Sequence, residues 1–150
     1  MSNVKNAKPV EILLVEDNPG DALLTKRFLE KSKICNNFHV AEDGFEAMAF
    51  LQRIGKYKDA PLPDLILLDL NLPGKDGREV LAEVKSDKNL CSIPIIIFTS
   101  SEAEEDIAKS YNLHANCYIT KPVDFEQFRK VLTVLEDFWF MVVKLPPHGK

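Results

Sequence analysis

No apolar stretch of this chain approaches the roughly 18 residues of a membrane span; the longest is the six-residue run Phe138 to Val143. The N-terminus, Met1 to Val10, is polar and has no apolar core of the kind a signal peptide needs. Cysteine is scarce. Cys35, Cys91 and Cys117 stand 56 and 26 residues apart, with no CxxC pair and no Cys/His spacing of a structural zinc site. They read as free, mostly buried thiols. Glycine (6) and proline (9) are too few for a low-complexity chain. There is no basic block: 19 Lys and Arg against 23 Asp and Glu give a net charge of −4, a poor balance for neutralising nucleic-acid phosphates. No GxxxxGK[ST] loop and no GxSxG elbow occurs, so neither nucleotide binding nor a serine nucleophile is supported. His39, His114 and His148 lack ligand or triad spacing.

What is present is ordinary in amount and regular in order. The 150 residues are 45% apolar and 28% charged, enough for one well-filled core. The expectation is a soluble, cytoplasmic protein, with residues 1–8 a flexible N-terminus, 9–140 one domain and 141–150 a C-terminal tail. Short apolar runs alternate with helical patterns. Val10–Val15 reads as a buried strand, and Asn18-Pro19 as a helix start before a helix from Ala22 to Lys33, with Leu23, Leu24, Phe28 and Ile34 on its inner face. A strand at 37–41 follows, then a capping box at Asp43/Glu46 opening a helix that carries Phe45, Met48, Ala49 and Leu51 and stops at Gly55. Residues 64–70 are apolar on both faces, as a central parallel strand must be. A helix over 78–86, a strand over 93–99, a helix capped by Ser101 and ending at Asn112, and a strand over 116–120 come next. The last helix, capped by Asp124, carries Phe125, Phe128, Leu132, Leu135 and Trp139 on one stripe. Five strands alternating with five helices predict an α/β, doubly wound parallel sheet covered on both faces.

In such folds the chemistry sits beyond the carboxyl ends of the strands. There the sequence puts Glu16-Asp17, Asp69, Thr99-Ser100 and Lys121-Pro122. Carboxylates gathered together repel one another unless a cation intervenes, and an all-oxygen set favours a hard divalent ion. A lysine and a hydroxyl facing them suit phosphoryl transfer onto a carboxylate, Asp69 being the nucleophile.

These residues resemble the receiver domains of two-component response regulators. The matching segments are LLVEDN (13–18), LILLDLNLPGKDG (65–77), IFTSSEA (97–103) and YITKP (118–122), with Asp69 to Thr99 spanning 30 residues and Asp69 to Lys121 spanning 52. The resemblance implies a flavodoxin-like receiver fold of strand order 2-1-3-4-5. It implies Asp69 as phosphoacceptor, and Mg2+ held by Asp17, Asp69, the main-chain carbonyl of Asn71 and, through water, Glu16. Lys121 and Thr99 would meet the phosphoryl group, Tyr118 would turn inward behind Thr99, and Asn71 and Ser101 would tune phosphate lifetime. A cis Lys121–Pro122 bond is also implied. A narrower resemblance lies in PDLILLDLNLP, KDGREVLAEVK, YNLHANCYITK, the EDFW/LPP ending and the GKYKDAPLP loop, which look like the stand-alone receivers paired with cyanobacterial phytochromes. It implies a sensor histidine kinase of phytochrome type as partner and a homodimer through helix 4, strand 5 and helix 5; the charge balance and the short apolar runs speak against direct nucleic-acid or membrane contact. The apolar run containing Phe138, Trp139 and Phe140 serves either that dimer or the core against the first helix.

Two other readings compete. A phosphotransferase on a similar fold needs a second acid two residues past the nucleophile, where this chain has Asn71. A binding module that is never phosphorylated has no physical need of the acidic pair, Asp69 and Lys121.

Overall fold

The computed structural model describes residues 9–31, 35–100, 103–115, 117–121, 124, 126–127, 129–130, 132–134 and 136. Strand β1 (Val10–Val15) leads into α1 (Pro19–Glu30), β2 (Asn36–Ala41), α2 (Gly44–Gln52), a 3-10 turn (Gly55–Tyr57), β3 (Leu65–Leu68), α3 (Gly77–Ser86), β4 (Ile95–Thr99), α4 (Glu104–Asn112) and β5 (Cys117–Thr120). The described residues between 126 and 136 are helical. The sheet is parallel, in the order β2-β1-β3-β4-β5.

Apolar continuity explains the sheet. On one face Leu13, Val15, Ile66, Leu68, Ile95 and Ile97 pack with Ala47, Met48, Phe50 and Leu51 of α2 and Val80, Leu81 and Val84 of α3. On the other, Ile12, Leu14, Leu65, Leu67 and Ile96 meet Ala22 and Leu29 of α1, and Phe98 with Leu132 meets Leu24 and Phe28. The period-two alternation sends neighbouring residues to opposite layers, so both faces of each central strand are dry.

Helix starts follow side-chain caps. Asn18 accepts from the Asp21 N–H at 3.1 Å with Pro19 in the first turn, and Asp43 accepts from the Glu46 N–H at 2.7 Å. Asp76 and Glu79 close a full capping box on α3, which the sequence reading passed over. Gly77 is required there: a Cβ would strike the Asp69 carbonyl oxygen and come within 2.6 Å of the Leu70 Cα. Absence of a side chain therefore lets α3 begin hard against the end of β3.

Several expectations need correcting. Cys35 and Cys91 are exposed, because one follows α1 and the other lies in the turn after α3, outside both apolar layers. Phe45 and Leu23 are also exposed. Phe45 lies instead over Gly74, with the Lys75 ammonium 5.7 Å from its ring centre. Helix α2 stops earlier than Gly55, at Arg53, which adopts the left-handed conformation (φ 57) and returns its N–H to the Ala49 and Phe50 carbonyls. Helix α4 starts from Ala103 with no side-chain cap. Ser101, Pro122, Phe125, Phe128, Leu135 and the Phe138, Trp139 and Phe140 patch lie outside the described residues, as does Ile34. Among the described residues no helix is long and apolar enough to cross a membrane.

Candidate functional site

Parallel pairing carries the polar residues to one edge. β1 and β3 pair in register from Ile12↔Leu65 to Val15↔Leu68, and one residue further the Asp69 N–H donates to the Val15 carbonyl at 3.0 Å. The Glu16 N–H reaches the Ala41 carbonyl at 2.9 Å, and the Lys121 N–H the Thr99 carbonyl at 2.6 Å. Each functional residue is thus the first after its strand, or its last, and its backbone is pinned by the neighbouring strand.

The side chains then converge. Thr99 Oγ1 donates to Asp69 Oδ1 at 2.7 Å, and the Asn71 N–H donates to the same oxygen at 3.1 Å. Lys121 Nζ donates to Asp69 Oδ2 at 3.2 Å. Both acceptor oxygens are therefore oriented by fixed donors. Lys121 also pairs with Glu16 and, at 3.0 Å, with Asp21. Glu16, Asp69, Thr99 and Lys121 are all buried. Above them a cavity of about 560 Å³ opens between Glu16, Asp17, Asn18, Asp21, Asn71 and Ser100.

Charge in this cavity is unbalanced. Carboxylate oxygens of Glu16, Asp17 and Asp69 lie within 4.8 Å of one another, with Asp21 beside them and Lys121 the cation that faces them. Burial pushes the Glu16 carboxyl up to about 7, against the pull of Lys121, and the neighbouring Asp69 charge adds to the rise. For Lys121, burial works against the ammonium, but the hydrogen bond it donates to Glu16 and the Asp69 charge outweigh it and keep the group protonated well above the ordinary lysine value. An excess of hard oxygen donors over cations in a partly dry cavity fits a divalent ion.

Tyr118 is half-buried against the core layer of α2 and α3, and its N–H donates to Tyr111 Oη of α4 at 3.1 Å. Sequence reasoning missed two features. Asp21, in the first turn of α1, points into the acid cavity; its signal was an acid one helical turn past Asp17. The second is Arg78, which grips Asp106 of α4 with two hydrogen bonds of 2.9 and 2.7 Å and also holds Asp76. Its partner lies 28 residues away, and no local pattern points to it.

The chain is 47% identical over 146 residues to "Response regulator Rcp1" of Synechocystis, covering 97% of this chain and 99% of that protein. It is 35% identical to the "Probable methanogenesis regulatory protein FilR2" of Methanothrix harundinacea, covering 87% and 84%. Among solved structures, the Mn2+-bound form of Rcp1 superposes with a TM-score of 0.90 at 47% identity, over 93% of this chain and all of that one. The phosphorylated cyanobacterial phytochrome response regulator RcpA gives the same values. The family model described as "Response regulator receiver domain" matches residues 12–133, from β1 into the last helix. Over that span the chain belongs to the response regulator receiver domain family.

Proposed function

We propose that Asp69 accepts a phosphoryl group from a sensor histidine kinase of phytochrome type. The observation that carries this reading is the orientation of the buried Asp69 carboxylate, one oxygen held by Thr99 and the Asn71 N–H, the other by Lys121. Asp69, Asn71 and Lys121 all line the cavity, the side from which a phosphorus atom would approach. An Asp69 oxygen attacks phosphorus, the new O–P bond forms, and the P–N bond to the donor imidazole breaks with its electron pair leaving on nitrogen. Lys121 holds its ammonium against the growing phosphoryl charge, and the Thr99 hydroxyl supplies a neutral donor on the same side. His39, His114 and His148 lack ligand or triad spacing, so the phosphohistidine is proposed to belong to the kinase.

The acid set is proposed to hold Mg2+ through Asp17, Asp69 and the Asn71 carbonyl, with Glu16 acting through water. Bound there, Mg2+ neutralises charge on the phosphoryl oxygens. Asn71 and Ser101 are proposed to tune how long the phosphoryl group stays, and autodephosphorylation is proposed at the same site. Receiver switching is a phosphorylation-dependent change of conformation. Here it is proposed to run through Thr99 and Tyr118 to the face of α4 and β5, where the Tyr118 N–H and the Tyr111 hydroxyl are joined. Output by protein contact, a homodimer using α4, β5 and the last helix with Phe138, Trp139 and Phe140, and a cytoplasmic setting complete the proposal, with residues 9–140 as the receiver and 1–8 and 141–150 as its tails. The near-full-length likeness to Rcp1 and RcpA supports the phytochrome partner.

The test is transfer from an autophosphorylated phytochrome-type histidine kinase carrying a radiolabelled phosphoryl group. Label should pass to this chain and be released by hydroxylamine, as an acyl phosphate is. Label that stays on the kinase, or a product stable to hydroxylamine, contradicts the reading.

A further inference from the structure

An ammonium has three N–H donors and no acceptor, and among the described residues three carboxylates take those of Lys121. They are Glu16 Oε1, Asp21 Oδ2 at 3.0 Å and Asp69 Oδ2 at 3.2 Å. A phosphoryl oxygen that binds Lys121 must therefore displace one of them. The three differ in what release would leave behind. The side chains of Glu16 and Asp69 are only 2% and 7% exposed, so little water could replace the lysine at either. The Asp21 side chain is 30% exposed, and water replaces the lysine when it lets go. Asp21 also has no other use for its carboxylate in the contacts that start α1: its N–H donates to Asn18 Oδ1 and its carbonyl accepts from Thr25 Oγ1.

We infer that Asp21 is a positioning residue for phosphoryl transfer, holding the exchangeable donor of Lys121 until a phosphoryl oxygen takes it. The inference rests on Asp69 being the acceptor. When a small acyl phosphate is the donor, an Asp69 oxygen bonds to phosphorus, the phosphorus–oxygen bond to the acyl group breaks, and a free carboxylate leaves with the electron pair. No proton moves at Lys121; one N–H simply turns from Asp21 to the phosphoryl oxygen. Asp21 slows this step in two ways. It draws the ammonium toward α1, and it places a negative charge where an anionic donor must enter. It thereby acts as a brake on phosphorylation by small anionic donors.

The experiment uses the full chain at low salt and saturating Mg2+, with acetyl phosphate as donor and the initial rate of phosphoprotein formation read by intact mass. Asp21→Asn is expected to speed phosphorylation roughly two- to fivefold, the scale of a part-exposed ion pair. The ratio to wild type should shrink toward one at about 0.5 M salt, where screening is strong. Asp21→Glu, which keeps the charge, should return the slow rate. Equal rates for wild type and Asp21→Asn, a gain unaffected by salt, or Asp21→Glu as fast as Asp21→Asn each overturn the inference. Should Asp21→Asn fail to fold by its urea midpoint, Asp21→Ser, which retains helix-start character, is read the same way. Asp69→Asn run beside them separates the two claims. An adduct that persists in that variant refutes the acceptor assignment, and the role of Asp21 falls with it.

Discussion

Glu16 shows how one residue ties burial, charge and ligand together. Its folded-state pKa of about 7 lies above the ordinary value of 4.5. A carboxyl raised on folding stabilises the fold most at low pH, and that contribution is lost as pH climbs from about 4.5 through about 7. Urea unfolding of the metal-free protein should therefore show stability falling over that window, by on the order of 2 kcal/mol. Glu16→Gln should flatten the fall, and Mg2+ should offset it by pairing with the deprotonated form. A wild-type profile that rises across the window contradicts the account. Glu16, Asp17, Asp69, Thr99 and Lys121 were legible in the sequence because each stands where an apolar strand run gives out. Asp21 was not, because an acid in the first turn of a helix is the ordinary complement to the helix dipole. The exposed thiols of Cys35 and Cys91 escaped because burial of a small apolar side chain depends on the layers around it, which composition does not reveal.

At the scale of elements, α3 does most to place Asp69. Its capping box, the close approach of Gly77 to the Asp69 carbonyl and the Arg78–Asp106 pair all act on the segment that follows β3. Asp76→Ala removes the cap and leaves Arg78 with one carboxylate; it should cost about 1–2 kcal/mol in urea unfolding. Gly77→Ala should cost more, because the clash is with backbone that cannot turn aside, and it should lower phosphorylation by displacing Asp69. A Gly77→Ala protein with wild-type stability and rate would show that β3 and α3 are not so tightly apposed. The Asn18 and Asp43 caps were readable from the sequence, whereas the Asp76 box was hidden in a segment that reads as a turn. The start of α4 was not readable either, since Ala103 offers no side-chain acceptor and the helix is set by its tertiary surroundings.

For the whole molecule, two apolar layers around one sheet set the strand ends that carry the site. Leu81, fully buried in the layer under α3, joins that helix to the core, and Leu81→Ala should lose about 2–5 kcal/mol through the cavity it leaves. A loss below about 1 kcal/mol by chemical denaturation would mean that this layer collapses around the gap. The alternation of apolar runs and helices told the sheet's parallel character and its two covered faces. Strand order followed from the receiver resemblance, because pairing of β1 between β2 and β3 is a long-range choice that local pattern does not encode.

The most direct test of the central claim is intact mass after incubation with Mg2+ and phosphoramidate, on wild type and Asp69→Asn. The account predicts one phosphoryl adduct on wild type, dependent on the metal and absent from the variant, with peptide mapping placing it on Asp69. An adduct of equal yield on both proteins, or none on a wild type shown to bind Mg2+ and sampled before hydrolysis, contradicts it.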